Sequence, residues 1–242
     1  MNIFFDIIIY FSLTLLGYWI SAVIHELGHV IVGLAHGWKL FMFVVGPIGI
    51  KRKEDKLQLY FEKNVVLWFG VGGTLPVKND IDNIKVWSKI LLGGPIASLV
   101  TGILFLTIFI IYPNPVWLLF GAMPIGMGIV CLLPLKLKTG ITYSDGARWS
   151  RLRDGGKGAA EETAVFKMTE YIHFGKDMSL LKKEDFEALL DAELPALRYY
   201  GYCYLYQYYD AKNDTENKSK TFTELQNMKK DVPKVIIDDC KL

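Results

Sequence analysis

Apolar positions crowd the first 140 residues of the chain and thin out after them. Three runs, Ile7–Ala35, Val86–Tyr112 and Val116–Leu135, carry almost no charge. Each reaches the roughly 20 residues that a helix needs to cross a bilayer, so the pattern predicts three membrane helices. The first does not read as a cleaved secretory signal: the first basic residue, Lys39, comes after it, and at 1.5 Å per residue it would extend about 43 Å. Between the first two runs the period changes. In Leu40–Pro76, "FMFVVGPIGI", "KLQLYFE" and "VVLWFGVGG" alternate and cluster between glycine, proline and charge, which predicts a small β-sheet.

After Arg151 the chain is soluble in composition. Apolar residues recur at helical spacing in Ala159–His173, Lys183–Ala192, Pro195–Tyr209 and Lys220–Lys230, with breaks at "FGKD", "ELP" and "KNDTENKSK". These predict about four helices in a C-terminal unit, of a tetratricopeptide-like kind although no 34-residue repeat is visible. The aromatic run "YYGYCYLYQYY" reads as core at this spacing, with a partner-binding face as the alternative. His173 stands alone there and reads as structural.

A composition of 52% hydrophobic and 21% charged residues excludes a disordered chain, and a net charge of +2 gives no reason to expect a nucleic-acid partner. The distribution of charge says more than its sum. Residues 1–36 and the hairpin "YPNPV" lack lysine and arginine, whereas the loop from Lys39 to Lys85 and the sequence after Lys136 are rich in them. The positive-inside rule then places the N-terminus outside and the C-terminal part in the cytoplasm. Cys131, Cys203 and Cys240 show no paired spacing, which suits free thiols in a reducing compartment and no disulfide framework.

One group of residues does not belong in an apolar run. "HELGH" puts His25, Glu26 and His29 inside the first predicted membrane helix. At a separation of four, His25 and His29 lie on one helical face, where both imidazoles can reach one tetrahedral zinc. Zinc lowers the pKa of a bound water toward 7, and Glu26 is placed to take its proton, which is the chemistry of a metalloprotease helix. Ionisable groups at such a depth are costly and mark function.

With these residues the sequence resembles the site-2 protease family of intramembrane zinc metalloproteases. The resemblance rests on "HELGH", on "GGPIAS" (Gly93–Ser98) in the second apolar run and on "CLLPLKLKTGITYSDGAR" (Cys131–Arg148) closing the third, and it covers about residues 15–150. It implies zinc held by His25, His29 and Asp145, with Glu26 activating water. It also implies a substrate contacted by Gly72, Gly73, Gly94, Pro95 and Ser98 and added as a strand to the sheet, where the residues alone leave a merely packed hairpin as the alternative. Cys131 and Ser98 stand where that family often has asparagine, and the excursion "KLKTGITYS" lengthens the approach to Asp145, as in a variant, short bacterial subgroup. His36 and Asp154 remain alternatives for the third ligand. His36 would lie about 10 Å from His29 along a continuous helix, and Asp154 lies in arginine-rich sequence further past the third apolar run.

The expected fold is a mainly α membrane protein. A three-helix catalytic core with a small membrane-associated sheet would occupy 1–150, and a helical cytoplasmic domain 151–242. The expected function is zinc-dependent cleavage of a membrane-embedded or membrane-adjacent protein or peptide in the lipid bilayer of a bacterial cell, with a cytoplasmic partner for the C-terminal helices. The rival reading is a catalytically idle membrane adaptor with a structural zinc site, which would have no use for Glu26.

Overall fold

In the computed structural model, which describes residues 3–53, 56–78, 80, 82–135, 142–173 and 180–240, the three apolar runs are helices α1 (Ile3–Ala35), α2 (Asn83–Ile111) and α3 (Pro115–Leu132). All three are long and apolar enough to span a membrane. Their outward faces carry exposed Phe5, Phe11, Ile31, Val100, Ile103 and Ile110, side chains that water would disfavour and hydrocarbon accepts. A helix also satisfies its own backbone, which a bilayer requires. The α2–α3 connection ends where the Asn114 side chain accepts from the Val116 amide, with Pro115 at the first helical turn.

Helix α1 crosses α2 at glycines. A Cβ on Gly93 would lie 2.5 Å from the Gly28 carbonyl oxygen and 2.9 Å from Val32 Cγ2, so the two backbones touch and neither position has room for a side chain. The sheet follows α1. Strands β1 (Lys39–Val45), β2 (Ile48–Lys53), β3 (Lys56–Phe61) and β4 (Val71–Leu75) are antiparallel in the order β3-β2-β1-β4. Gly46, at φ 71°, turns β1 into β2. The β2–β3 hairpin is amphipathic: Ile48 faces Phe61 and Ile50 faces Leu59 on one side, while Lys51 and Tyr60 share the other, the Lys51 ammonium 4.5 Å from the ring centre.

The chain divides into two units, Met1–Leu133 and Pro134–Leu242. The second contains α4 (Asp145–Asp154), α5 (Gly156–His173), the short α6 (Glu187–Leu190), α7 (Pro195–Ala211), α8 (Thr215–Met228) and α9 (Lys234–Asp239). Tyr199, Cys203 and Leu225 anchor one cluster, and Met168, Phe186 and Leu189 another. The tyrosine run lies in α7, with Tyr199 buried and the others half-buried, so it serves chiefly as core.

Four local expectations differ from the structure. Val65–Phe69 is a 3-10 helix rather than strand, because the Asn64 side chain caps it at the Val66 amide and Gly70, at φ 123°, ends it. The helix expected over Lys183–Ala192 is a 3-10 turn, Lys183–Asp185, followed by the single turn α6. Helix α4 was not legible as a helix at all. Its sequence, "DGARWSRLRD", has almost no apolar stripe. It is capped by Ser144, which accepts from the Ala147 amide, and is held to α5 by ion pairs. Arg148 pairs with Glu162 at 2.9 Å, and Arg151 pairs with Glu161 and Glu162, both glutamates being 2% exposed. The Arg151 guanidinium also stacks 4.1 Å over Tyr143.

The fourth difference is a correction. Cys203 and Cys240 form a disulfide, with Cα atoms 6.3 Å apart across a sequence separation of 37. Sequence spacing concealed the pair because α8 returns the chain and places α9 against α7, where both cysteines enter one buried cluster with Tyr199 and Leu225. Cys131 lies outside the disulfide. Alkylation in denaturant without reductant should therefore modify one cysteine, and after reduction three, as read by mass spectrometry. Three adducts before reduction would refute the pairing. Closing a loop of this length implies that Cys203→Ser lowers the stability of the second unit by about 4 kcal/mol in the chain-entropy model, measurable by its thermal or denaturant unfolding.

Candidate metal centre

His25 and His29 lie one turn apart on α1 and are buried, at 5% and 7% exposure. Their Nε2 atoms are 3.3 Å apart. The contacts on the far side of each ring set the chemistry of these nitrogens. His29 Nδ1 is 2.7 Å from the Ile90 carbonyl oxygen, which can only accept, so Nδ1 carries the proton and Nε2 presents a lone pair. The Gly94 amide also approaches Nδ1, but at 3.3 Å, and the shorter contact decides the tautomer. His25 Nδ1 meets the Ser98 hydroxyl at 3.1 Å, and Ser98 is fully buried. Two Nε2 atoms at this separation require a proton or a cation between them. Across a tetrahedral zinc with bonds of 2.0–2.1 Å, two nitrogens lie about 3.3 Å apart, so the pair fits that ion. The Ile90 carbonyl and Ser98 hydroxyl then occupy the places of the outer partners that orient metal-binding histidines.

Glu26 is carried past the histidines toward the sheet. A Cβ on Gly70 would lie 3.0 Å from Glu26 Oε1, and one on Gly72 would lie 2.7 Å from the Glu26 backbone oxygen and 3.0 Å from Oε2. The glycines thus let β4 pass directly beside the carboxylate. Among the described residues β4 pairs with β1 alone, so it is an edge strand. Gly73 is open, its nearest neighbours lying 4.0 Å from an added Cβ. Tyr18, two turns before His25, donates its hydroxyl to the Phe69 carbonyl at 3.0 Å and ties the residue before Gly70 to α1. Sequence reading did not single out Tyr18, and its seven-residue spacing from His25 was the available signal.

The α2 turn Gly93–Pro95 is enclosed by the other two helices. A Cβ on Gly94 would enter the His29 ring and come within 2.8 Å of the His25 carbonyl. On the other side a Cβ on Gly128 of α3 would lie 2.9 Å from the Pro95 carbonyl oxygen. Gly94 therefore lies against the His29 ring near Nε2, Ser98 against His25 Nδ1, and the Pro95 carbonyl against α3. Cys131, in the last turn of α3, places its sulfur within 4.8 Å of a His25 ring nitrogen.

Three further ligand candidates come from the sequence, His36, Asp145 and Asp154. His36 is past the end of α1 and exposed, with Nδ1 2.8 Å from the Val32 carbonyl and Nε2 3.4 Å from Lys89 Nζ. In the second unit, Asp145 opens α4 and Asp154 closes it, about 13 Å apart along the helix. Asp154 is bonded to its neighbour Arg153 at 2.8 Å. Gly146, the residue after Asp145, is buried inside α4. Most of the excursion before Asp145 lies outside the described residues. Its base is closed by reciprocal bonds, the Leu135 amide to Ser144 Oγ at 3.1 Å and the Ser144 amide to the Leu135 carbonyl at 2.9 Å.

Against known proteins, the family model described as Peptidase family M50 matches residues 11–237. No curated protein and no solved structure gave a match.

The packing behind the histidines yields a graded expectation. Gly94→Ala should abolish stoichiometric zinc binding in the purified protein, because its methyl group occupies the place of the His29 ring. Ser98→Ala should weaken zinc affinity by about 10–100-fold while leaving the helices intact. Metal content after equilibration with a competing chelator, alongside circular dichroism, distinguishes the two, and full zinc content in Gly94→Ala would contradict the packing argument.

Proposed function

The chain belongs to peptidase family M50, a family of membrane metalloproteases, and we propose that it is a zinc endopeptidase cutting peptide bonds within or next to a transmembrane segment of another protein or peptide. The observation that supports this most is the pair of Nε2 atoms 3.3 Å apart with Glu26 beside a glycine-lined strand edge. In this reading His25, His29 and Asp145 hold the metal. Asp145 is preferred because it follows the third apolar run much more closely than Asp154, and because His36 lies about 10 Å beyond His29 along the helix axis. A zinc ion there supplies Lewis acidity, polarising the scissile carbonyl and acidifying the attacking water.

This chain's own groups do the rest. Glu26 accepts the proton of the attacking water and returns it to the leaving amine. The edge of β4 binds the substrate as an added strand, because an extended peptide presents its carbonyls while a helix hides them. Gly72 and Gly73 line that strand, and Gly70 keeps its approach to Glu26 free of side chains. Gly94 and Ser98 contact the His29 and His25 rings, and with Pro95 they remain candidates for substrate contact. The loop charges alone favour an N-terminus outside and a cytoplasmic C-terminal unit whose helices offer a partner surface, in a bacterial cell membrane, since the Cys203–Cys240 disulfide removes the argument from free thiols.

Separating base from ligands tests the assignment. Glu26→Gln should keep near-stoichiometric zinc and lose at least about 10³-fold in cleavage of a membrane-embedded reporter substrate. Asp145→Asn should lose zinc and cleavage together, whereas Asp154→Asn and His36→Ala should keep both. Full turnover in Glu26→Gln or in Asp145→Asn overturns the corresponding role. For topology, a cysteine introduced at Asn114 should react with an impermeant maleimide on intact cells, and reaction only after lysis would reverse the orientation.

A further inference from the structure

We propose that Cys131 is a displaceable metal ligand, its thiolate closing the His25–His29 site in the resting protein and leaving when substrate or another oxygen ligand arrives. The inference rests on the proposed reading of His25, His29 and Asp145 as metal ligands and adds a residue to that site. Its physical basis is the enclosed turn of α2. Gly94 lies against the His29 ring on the α1 side, and Gly128, one turn before Cys131, lies against the Pro95 carbonyl on the α3 side. The last turn of α3 is thereby held beside His25, and the Cys131 sulfur comes within 4.8 Å of a His25 ring nitrogen. Across a tetrahedral zinc, nitrogen and sulfur lie about 3.5 Å apart, a difference that rotation about the cysteine Cα–Cβ bond covers.

The chemistry also favours the sulfur. Cys203 and Cys240 are joined to each other, so Cys131 is the thiol of this chain, and it is half-buried rather than sealed in apolar packing. Thiolate is a soft, strong ligand for zinc. When it binds, the S–H bond breaks, its proton passes to water, and a metal–sulfur bond forms with no change in oxidation state. When an incoming oxygen ligand takes the position, the sulfur recovers a proton from water. Zinc sites with four protein ligands are structural, whereas catalytic ones keep a place open. With Cys131 added to two histidines and a carboxylate the site is closed, so a substrate able to displace the sulfur opens it.

Cobalt(II) substituted into the full-length protein in detergent micelles reads the sulfur directly. The wild-type protein should show visible d–d bands together with a near-ultraviolet sulfur-to-cobalt charge-transfer band. Cys131→Ser should keep the d–d bands and lose the charge-transfer band, and a small hydroxamate added to wild type should abolish that band while shifting the d–d bands. Visible bands without charge transfer in wild type, or charge transfer surviving in Cys131→Ser, would overturn the ligand. Charge transfer that persists with hydroxamate bound would overturn its displacement. Loss of cobalt binding in wild type, or its full retention in a His25→Ala, His29→Ala double variant, would instead overturn the reading of the histidines on which the inference rests.

Discussion

The contact between the backbones of α1 and α2 is the constraint on which the site depends. Because Gly28 and Gly93 bring no side chains to the crossing, α2 approaches closely enough for the Ile90 carbonyl to reach His29 Nδ1 at 2.7 Å and for Ser98 to reach His25 Nδ1 at 3.1 Å. A helix pair spaced by ordinary side chains, with axes about 8–10 Å apart, would leave those ring nitrogens without protein partners in an apolar surrounding. The close crossing therefore fixes the tautomer of His29, and the tautomer directs an unprotonated Nε2 toward His25. Helix packing and ligand chemistry are the same event here.

The second consequence is a division of labour around Glu26. Histidines facing α2 are held by hydrogen bonds on their outer nitrogens. The glutamate, one residue on, turns by about 100° to a different face. There it meets β4, where glycine at positions 70 and 72 leaves the carboxylate beside bare backbone. One strand edge and one carboxylate are thus set side by side by an intervening helical turn. Tyr18 stabilises the arrangement from below by fixing the Phe69 carbonyl, so that the 3-10 helix ends where Gly70 must begin its unusual backbone path.

Legibility followed the kind of force involved. The three membrane helices and the "HELGH" face were readable because hydropathy and a spacing of four are local and periodic. The sheet was readable as a region, but not the 3-10 helix within it, since Asn64 and Gly70 override the β preference of "VVLWF" through a cap and a backbone conformation. Helix α4 escaped because arginine–glutamate pairs to α5 replace the apolar stripe that periodicity detects. The disulfide escaped for a different reason: it joins residues brought together only when α8 and α9 fold back on α7. At the candidate centre, residue types were legible. The parts played by Gly94, Ser98 and Tyr18 required knowing which helix lies behind each ring.

The ion-paired attachment of α4 bears on what its first residue can do. A carboxylate at the end of a mobile segment gives up about 1–2 kcal/mol of backbone entropy for each residue it must order on binding a cation. As the proposed metal ligand, Asp145 would avoid much of that cost, because the backbone around it is already fixed in three ways. Ser144 caps the helix at the Ala147 amide, the Leu135–Ser144 pair closes the preceding excursion, and Arg148 and Arg151 engage two glutamates buried to 2% exposure. Breaking such a buried pair by removing one partner costs about 3–5 kcal/mol, so the attachment is stiff on the scale of the entropy it saves. A charged, stripe-less helix looks like a poor element by hydrophobic criteria. For holding one carboxylate at a defined point it is well suited, because ion pairs of fixed geometry orient a helix about its own axis more strictly than a smooth apolar contact does.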